Sequence, residues 1–214
     1  MRVSHAYKFI FLAMPRTGST SIRSILDFYS DIKSINIKQT TDGFPFYHHI
    51  SAMELREIFN KRGWNWSEYR RFCVIRNPYD RIVSLYHHHL WMQNRRANEA
   101  PMRERKGKPP GGAPSFKDYV MRINPESRLT ASLQSFICDK GEDFLVEDVL
   151  VFEKLYTELP NYLSGLGIYI TSSDIPYLNA SDNRGEYRAY YDEDTKERVA
   201  KLYNHDITRF GYGF

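Results

Sequence analysis

Cysteine is scarce: Cys73 and Cys138 are the only two, and neither falls in a CxxC or other zinc-type spacing. A disulfide framework and a cysteine-rich metal site are excluded, and Cys73, inside the apolar run 71–75, is expected to be a reduced, buried thiol. Long hydrophobic runs are also missing. The longest near the N-terminus, residues 9–14, falls far short of the roughly 20 residues that span a bilayer. No charged segment, apolar core and cleavage site of a signal peptide precedes it, so the expected location is the cytoplasm. Charge of one sign is not in large excess: 30 Lys and Arg stand against 26 Asp and Glu, a net +4. Such mild basicity fits a protein that handles an anionic small molecule. No basic module of the kind that reads nucleic acid concentrates it, so a nucleic-acid partner is not expected. There is no internal repeat, and 214 residues suit one core, a single domain over 1–214.

The segments that are present alternate between strand and helix. Residues 8–14 read KFIFLAM, a continuous apolar run closed by Pro15, which predicts a strand buried on both faces as in a parallel sheet. PRTGSTS follows over 15–21, and then Ile22, Ile25, Leu26 and Tyr29 recur at helical spacing, so a helix starts near Ser19. A loop over 39–46 leads to His48 and His49. Ser51 and Glu54 form a capping box for a helix reaching Arg62. Residues 71–75 predict a second strand, with Pro78 in the first turn of the helix after it. Residues 95–114, rich in Arg, Lys, Pro and Gly, predict a mobile basic loop. Beyond it, a helix is expected from Ser115, a strand over 149–152, and helices over 153–163 and 192–203.

Two of these strand-to-helix turns carry anion-binding chemistry. In the first, the free N–H groups and positive dipole of a helix N-terminus favour phosphate or sulfate. Gly18 permits close approach, Thr17, Ser19, Thr20 and Ser21 bring hydroxyls, and Arg16 brings a charge. A capped helix after a tight turn would explain the same segment. The Walker A loop GxxxxGK[ST] does not, because Gly18 stands alone and the cation precedes it. The second turn, RNPYDRIVSLY over 76–86, places Arg76 at a strand end, able to fork onto a phosphate. Ser84 follows two helical turns on. Two anion sites imply a ligand with two anionic groups, and a nucleotide carrying a 3′-phosphate and a 5′-phosphosulfate meets that requirement.

The pair PRTGSTS and RNPYDRIVSLY resembles the two motifs by which sulfotransferases bind 3′-phosphoadenosine 5′-phosphosulfate (PAPS). The likeness is closest to the carbohydrate-type, Golgi-related branch and its small soluble members. It extends in order through LQSFIC (133–138), VFEKL (151–155), YLNAS (177–181) and the ending from Leu202 to Tyr212. The resemblance implies an α/β fold, a central parallel β-sheet flanked by helices, of the P-loop-NTPase-like sulfotransferase kind. It implies PAPS as sulfuryl donor, 3′-phosphoadenosine 5′-phosphate (PAP) as product, and no metal. Arg16 stands where relatives usually have Lys, at the 5′-phosphate and bridging oxygen. Thr17, Gly18, Ser19, Thr20 and Ser21 would cradle the phosphosulfate, Arg76 and Ser84 would hold the 3′-phosphate, and Arg184, after Asn179 and Ser181, would belong to a loop closing over the nucleotide.

The reaction also needs a base for the acceptor proton, and a histidine suits it. His49 matches the position where relatives keep one, with its neighbour His48 as the rival. His87, His88 and His89 invite a metal reading, but consecutive helical residues fan out by ~100° and do not share an ion. The expected activity is metal-free, in-line sulfuryl transfer to a hydroxyl or amine of a carbohydrate or small metabolite. A nucleotide kinase of related fold and a non-catalytic PAP-binding module are the alternatives.

Overall fold

Apolar residues at successive positions of 9–14 require burial on both sides of a strand, and the fold supplies it. A computed structural model describes residues 1–99, 114–139, 143–178 and 185–214. Its strands are β1 (Arg2–Ser4), β2 (Phe9–Leu12), β3 (Ile32–Lys33), β4 (Arg70–Ile75) and β5 (Asp148–Val151), in one five-stranded sheet of order β3-β1-β2-β4-β5. All four residues of β2 are buried. Phe9, Phe11 and Ala13 enter one core with Phe72 and Val74 of β4. Ile10, Leu12 and Met14 enter the other with Cys73 and Ile75. That alternation is the period-two geometry of a strand. Cys73 and Cys138 are both buried, and neither forms a disulfide.

Helices cover both faces. Against the first core lie α1 (Ser19–Leu26) through Ile22, Ile25 and Leu26, and a later helix through Leu155, Leu159 and Leu163. Against the second lies α2 (Ala52–Lys61) through Ala52, Leu55 and Phe59. The expected capping box starts α2: Ser51 Oγ accepts from the Glu54 N–H, and the Glu54 carboxylate accepts from the Ser51 N–H. Next come α3 (Pro78–Glu99), α4 (Phe116–Met121) and α5 (Leu133–Ile137). The helix on the first core is α6 (Leu155–Ser164), and α7 (Glu193–Leu202) and α8 (Asn204–Phe210) follow. Ile82, Val83, Phe116, Val120, Val199 and Tyr203 build a third core between α3, α4 and α7.

The expected α/β fold with a helix-flanked sheet stands, and two details differ. The sheet is mixed: β2, β4 and β5 are parallel, but β1 is antiparallel to both β2 and β3. Only residues 5–8 join β1 to β2, too short for a crossover, so an antiparallel pair is the sole solution. And α3 continues to Glu99, so residues 95–99 are helical and do not open a loop. Arg, Ala and Glu there favour helix, with no Gly or Pro to stop it. The rest of the expected basic loop, 100–113, lies outside the described residues.

Phe72 locks the centre of this sheet. It is fully buried, and its ring meets Phe11 at 5.0 Å and Tyr162 at 4.6 Å between centroids. Phe72→Ala should lower unfolding stability by about 3–5 kcal/mol, read from the urea midpoint of the variant against the parent chain.

Candidate active site

Because β2, β4 and β5 are parallel neighbours, their C-terminal ends meet at one edge of the sheet, where open α/β sheets bind ligands. After β2 the chain must turn sharply into α1. Arg16 (φ +65°) and Gly18 (φ +72°) both adopt the left-handed conformation, and Thr17, fully buried, donates its hydroxyl to the Met14 carbonyl at 3.0 Å. At Gly18 a side chain is disfavoured twice: by φ, and because a Cβ would come 3.0 Å from the ring of Phe152, which follows β5. Gly18 gives α1 no side-chain cap, so the first-turn N–H groups, from Ser19, Thr20 and Ser21, have no intrahelical partner to receive them. Ser21 Oγ accepts from the Leu178 N–H at 3.2 Å, leaving its proton free to donate.

The second turn is built onto the first. Asn77 starts α3 by accepting the Tyr79 N–H on its side chain and the Arg81 N–H on its carbonyl. Arg76, just before it, is clamped to Asp80 at 2.6 Å, lies over the Phe152 ring at 4.3 Å, and donates to the Arg16 carbonyl at 3.2 Å. Arg16 Nε in turn donates to Ser84 Oγ at 2.9 Å, and Ser84 is almost fully buried. The two motifs, 60 residues apart between Arg16 and Arg76, therefore form one site. Burial lowers the Arg76 guanidinium to about 10 and also lowers Arg16, on which Arg76 acts further. Both stay cationic at neutral pH.

His49 and His48 differ in a way that spacing does not reveal. His49 Nδ1 lies 2.7 Å from the Ala13 carbonyl. A carbonyl only accepts, so Nδ1 carries the proton and Nε2 keeps its lone pair. His48 Nδ1 lies 2.8 Å from Arg23 Nη1. A guanidinium only donates, so that lone pair is already used and Nε2 holds the proton. The three consecutive histidines of α3 diverge: His87 bonds Tyr190 Oη at 2.8 Å, His88 stacks on Trp91, and His89 meets Gln93.

The site thus gathers Arg16, Thr17, Gly18, Ser19, Thr20, Ser21, Arg76, Ser84 and, through Ala13, His49. Arg23 donates to the Ser19 carbonyl and the Thr20 hydroxyl of α1, so with Arg16 and Arg76 three guanidiniums border the uncapped start of that helix, a donor set that fits a polyanionic nucleotide. The model of the sulfotransferase family matches residues 1–213. The chain belongs to the sulfotransferase family. It is an enzyme, and family membership makes PAPS its sulfuryl donor. No curated protein matches the chain. Arg184, Asn179 and Ser181 lie outside the described residues. Among the described residues no helix is long and apolar enough to cross a membrane.

Sequence reading passed over Arg23, Asp80 and Phe152 of this sulfotransferase. Asp80 carried a signal, four residues after Arg76 and so on its own helical face. Arg23 and Phe152 had none, since each matters only through a partner far along the chain. The histidines yield a prediction. Burial, with the Arg23 charge, holds His48 and His49 each down to about 4, below the ~6.5 of a free histidine. Unfolding raises their proton affinity, so this contribution to stability is complete above about pH 6.5 and is lost as pH falls towards 4. The urea midpoint should drop between about pH 7 and pH 5, and His49→Gln should flatten that drop.

Proposed function

We propose that this enzyme, on the carbohydrate-type pattern of its motifs, moves the sulfuryl group of PAPS to a hydroxyl or amine of a small polar acceptor. The observation that supports it best is the joining of the two anion-binding turns through Arg16, Ser84 and Arg76. A ligand with one anionic group needs one such turn; a nucleotide phosphorylated at both ends needs two held in fixed relation. The first-turn N–H groups of α1, with Arg16, bind the phosphosulfate end. Arg76 and Ser84 bind the 3′-phosphate and contribute affinity more than chemistry.

When bound, PAPS supplies an activated sulfuryl group whose bridging S–O bond breaks as the acceptor oxygen or nitrogen bonds to sulfur. His49 Nε2 takes the acceptor proton, because its tautomer is set by Ala13. His48 instead holds Arg23 in place. Arg16 and the loop N–H groups stabilise the negative charge that builds on the bridging oxygen. As a planar guanidinium that stays protonated, Arg16 acts by charge and not as a proton donor. The chain's cations do this work in the proposed mechanism, with no metal invoked.

Calorimetric titration with PAP, AMP and ATP plus magnesium tests the donor assignment. PAP should bind tightly and AMP, lacking the 3′-phosphate, much more weakly. Preference for ATP with magnesium would return a nucleotide kinase. Arg76→Ala should weaken PAP by about 10- to 100-fold, the loss of charge-assisted hydrogen bonds; unchanged affinity would count against its role. His49→Ala should keep PAP affinity while lowering kcat by about 10²- to 10⁴-fold. Full turnover in that variant places the base elsewhere, and a wild-type chain that binds PAP but turns over no acceptor is a binding module.

A further inference from the structure

His49 does not face only the donor loop. It also lines a cavity of about 360 Å³ with Ser51, Glu54, Glu126, Arg128 and Ser135. The His49 edge that meets Ala13 carries Nδ1; the other edge carries the free Nε2 lone pair. Such a cavity, bordered by the histidine proposed as the base, is suited to hold the acceptor.

The charge of its walls differs from that of the donor side. Glu54 and Glu126 stand against Arg128 alone, and Arg128 is already committed: it bonds Glu54 at 3.0 Å and lies over the Tyr47 ring at 4.9 Å. Burial opposes ionisation of Glu54, but hydrogen bonds from Ser51 and the Arg128 charge overcome it and hold the carboxyl below the usual range. Glu54 also borders a second cavity, of about 400 Å³, whose charged walls include Asp42, Glu57 and Lys61. The remaining polar lining is hydroxyl: Ser51, Ser132 and Ser135. The guanidiniums of Arg16, Arg23 and Arg76 all belong to the donor side.

We infer that the cavity beside His49 is the acceptor site, and that it takes a small polyhydroxylated acceptor carrying an ammonium group in preference to an anionic one. Two effects point the same way. The acidic excess attracts a cation, and a polyanionic donor across His49 repels an acceptor of its own sign, with no uncommitted cation among the described residues of the cavity wall to offset that repulsion. Serine hydroxyls and the Glu54–Arg128 pair offer hydrogen bonds to a polyol. The inference rests on the donor assignment above.

The test uses the full chain saturated with PAP, its histidine ring nitrogens isotopically labelled, titrated with glucosamine, N-acetylglucosamine and glucuronate. Protonated glucosamine should shift the His49 ring signals and bind about tenfold more tightly than glucuronate, with the neutral sugar between. Ser135→Trp, which fills the cavity from an exposed position, should abolish the glucosamine response while PAP affinity stays within about twofold. Glu126→Lys, on an exposed segment, should reverse the order of glucosamine and glucuronate. Equal or tighter binding of glucuronate to the parent chain, no His49 response to glucosamine, or an unchanged response in both variants overturns the inference. Failure of the parent chain to bind PAP at all would instead overturn the donor assignment, and it is read before any sugar is added.

Discussion

The hydrogen bond from Arg16 Nε to Ser84 Oγ, with the one from Arg76 back to the Arg16 carbonyl, is the joint that holds the rest of the site. Arg16 is a non-glycine residue in the left-handed region, a conformation costing roughly 1–2 kcal/mol. It persists because the side chain is tied to α3 and the carbonyl to the end of β4. Gly18 then fits beneath Phe152, and Phe152 supports the Arg76 guanidinium. Loosening any one of these contacts releases strain at Arg16, so the two anion-binding turns order each other. In the proposed assignment such a site holds two anion-binding turns in fixed relation, which suits a ligand with two anionic groups better than a monophosphate.

Charge is divided across this joint. Guanidiniums collect on the donor side, and carboxylates border the cavities beyond His49. The division follows from the fold: Arg16 and Arg76 follow the parallel strands, whereas α2 turns Glu54 towards the segment that carries Glu126 and Arg128, and Glu57 lines the other cavity with Glu54. His49 occupies the boundary because Ser51 fixes the start of α2 two residues later and Ala13 fixes the ring. Its neighbour is turned away to Arg23 and Ser34. Adjacent residues thus receive opposite tautomers from opposite partners, a donor in one case and an acceptor in the other.

Much of this was legible in the sequence, and what was not has identifiable causes. Strands β2 and β4 declared themselves because unbroken apolar runs have few other uses, and the Ser51 capping box because its chemistry is local. Strands β1 and β3, three and two residues long, are too short to display any period, which is why a parallel sheet was expected where a mixed one stands. The candidate anion-binding residues could be named because each strand-to-helix turn groups its donors in one short segment. The Arg16–Ser84 contact could not, since it joins positions 68 apart. His49 was favoured over His48 by likeness to relatives alone, and the physical difference between them, the hydrogen-bond partner of each Nδ1, could not be read from spacing. Phe152 lay inside a segment that resembled the family, but a phenylalanine after a strand reads as core until a guanidinium is found on its face.

The low proton affinity of His49 follows from the same arrangement that binds the donor. Burial is its main cause, and the Arg23 charge adds to it. An anion seated on the α1 N-terminus cancels part of that positive potential, so donor binding raises the basicity of the ring beside it. By linkage, a proton on His49 must favour the anion to the same degree. In the proposed mechanism the base is therefore weakest when no donor is present, and it strengthens as the negative charge of the donor arrives. With His49 as the proposed base, the proton it accepts during transfer is paired with the departing negative charge, a favourable interaction that exists only after the acceptor has begun to lose its proton. The interaction is stronger in the transition state than in the ground state, which is the condition for it to accelerate the chemistry and not merely tighten binding.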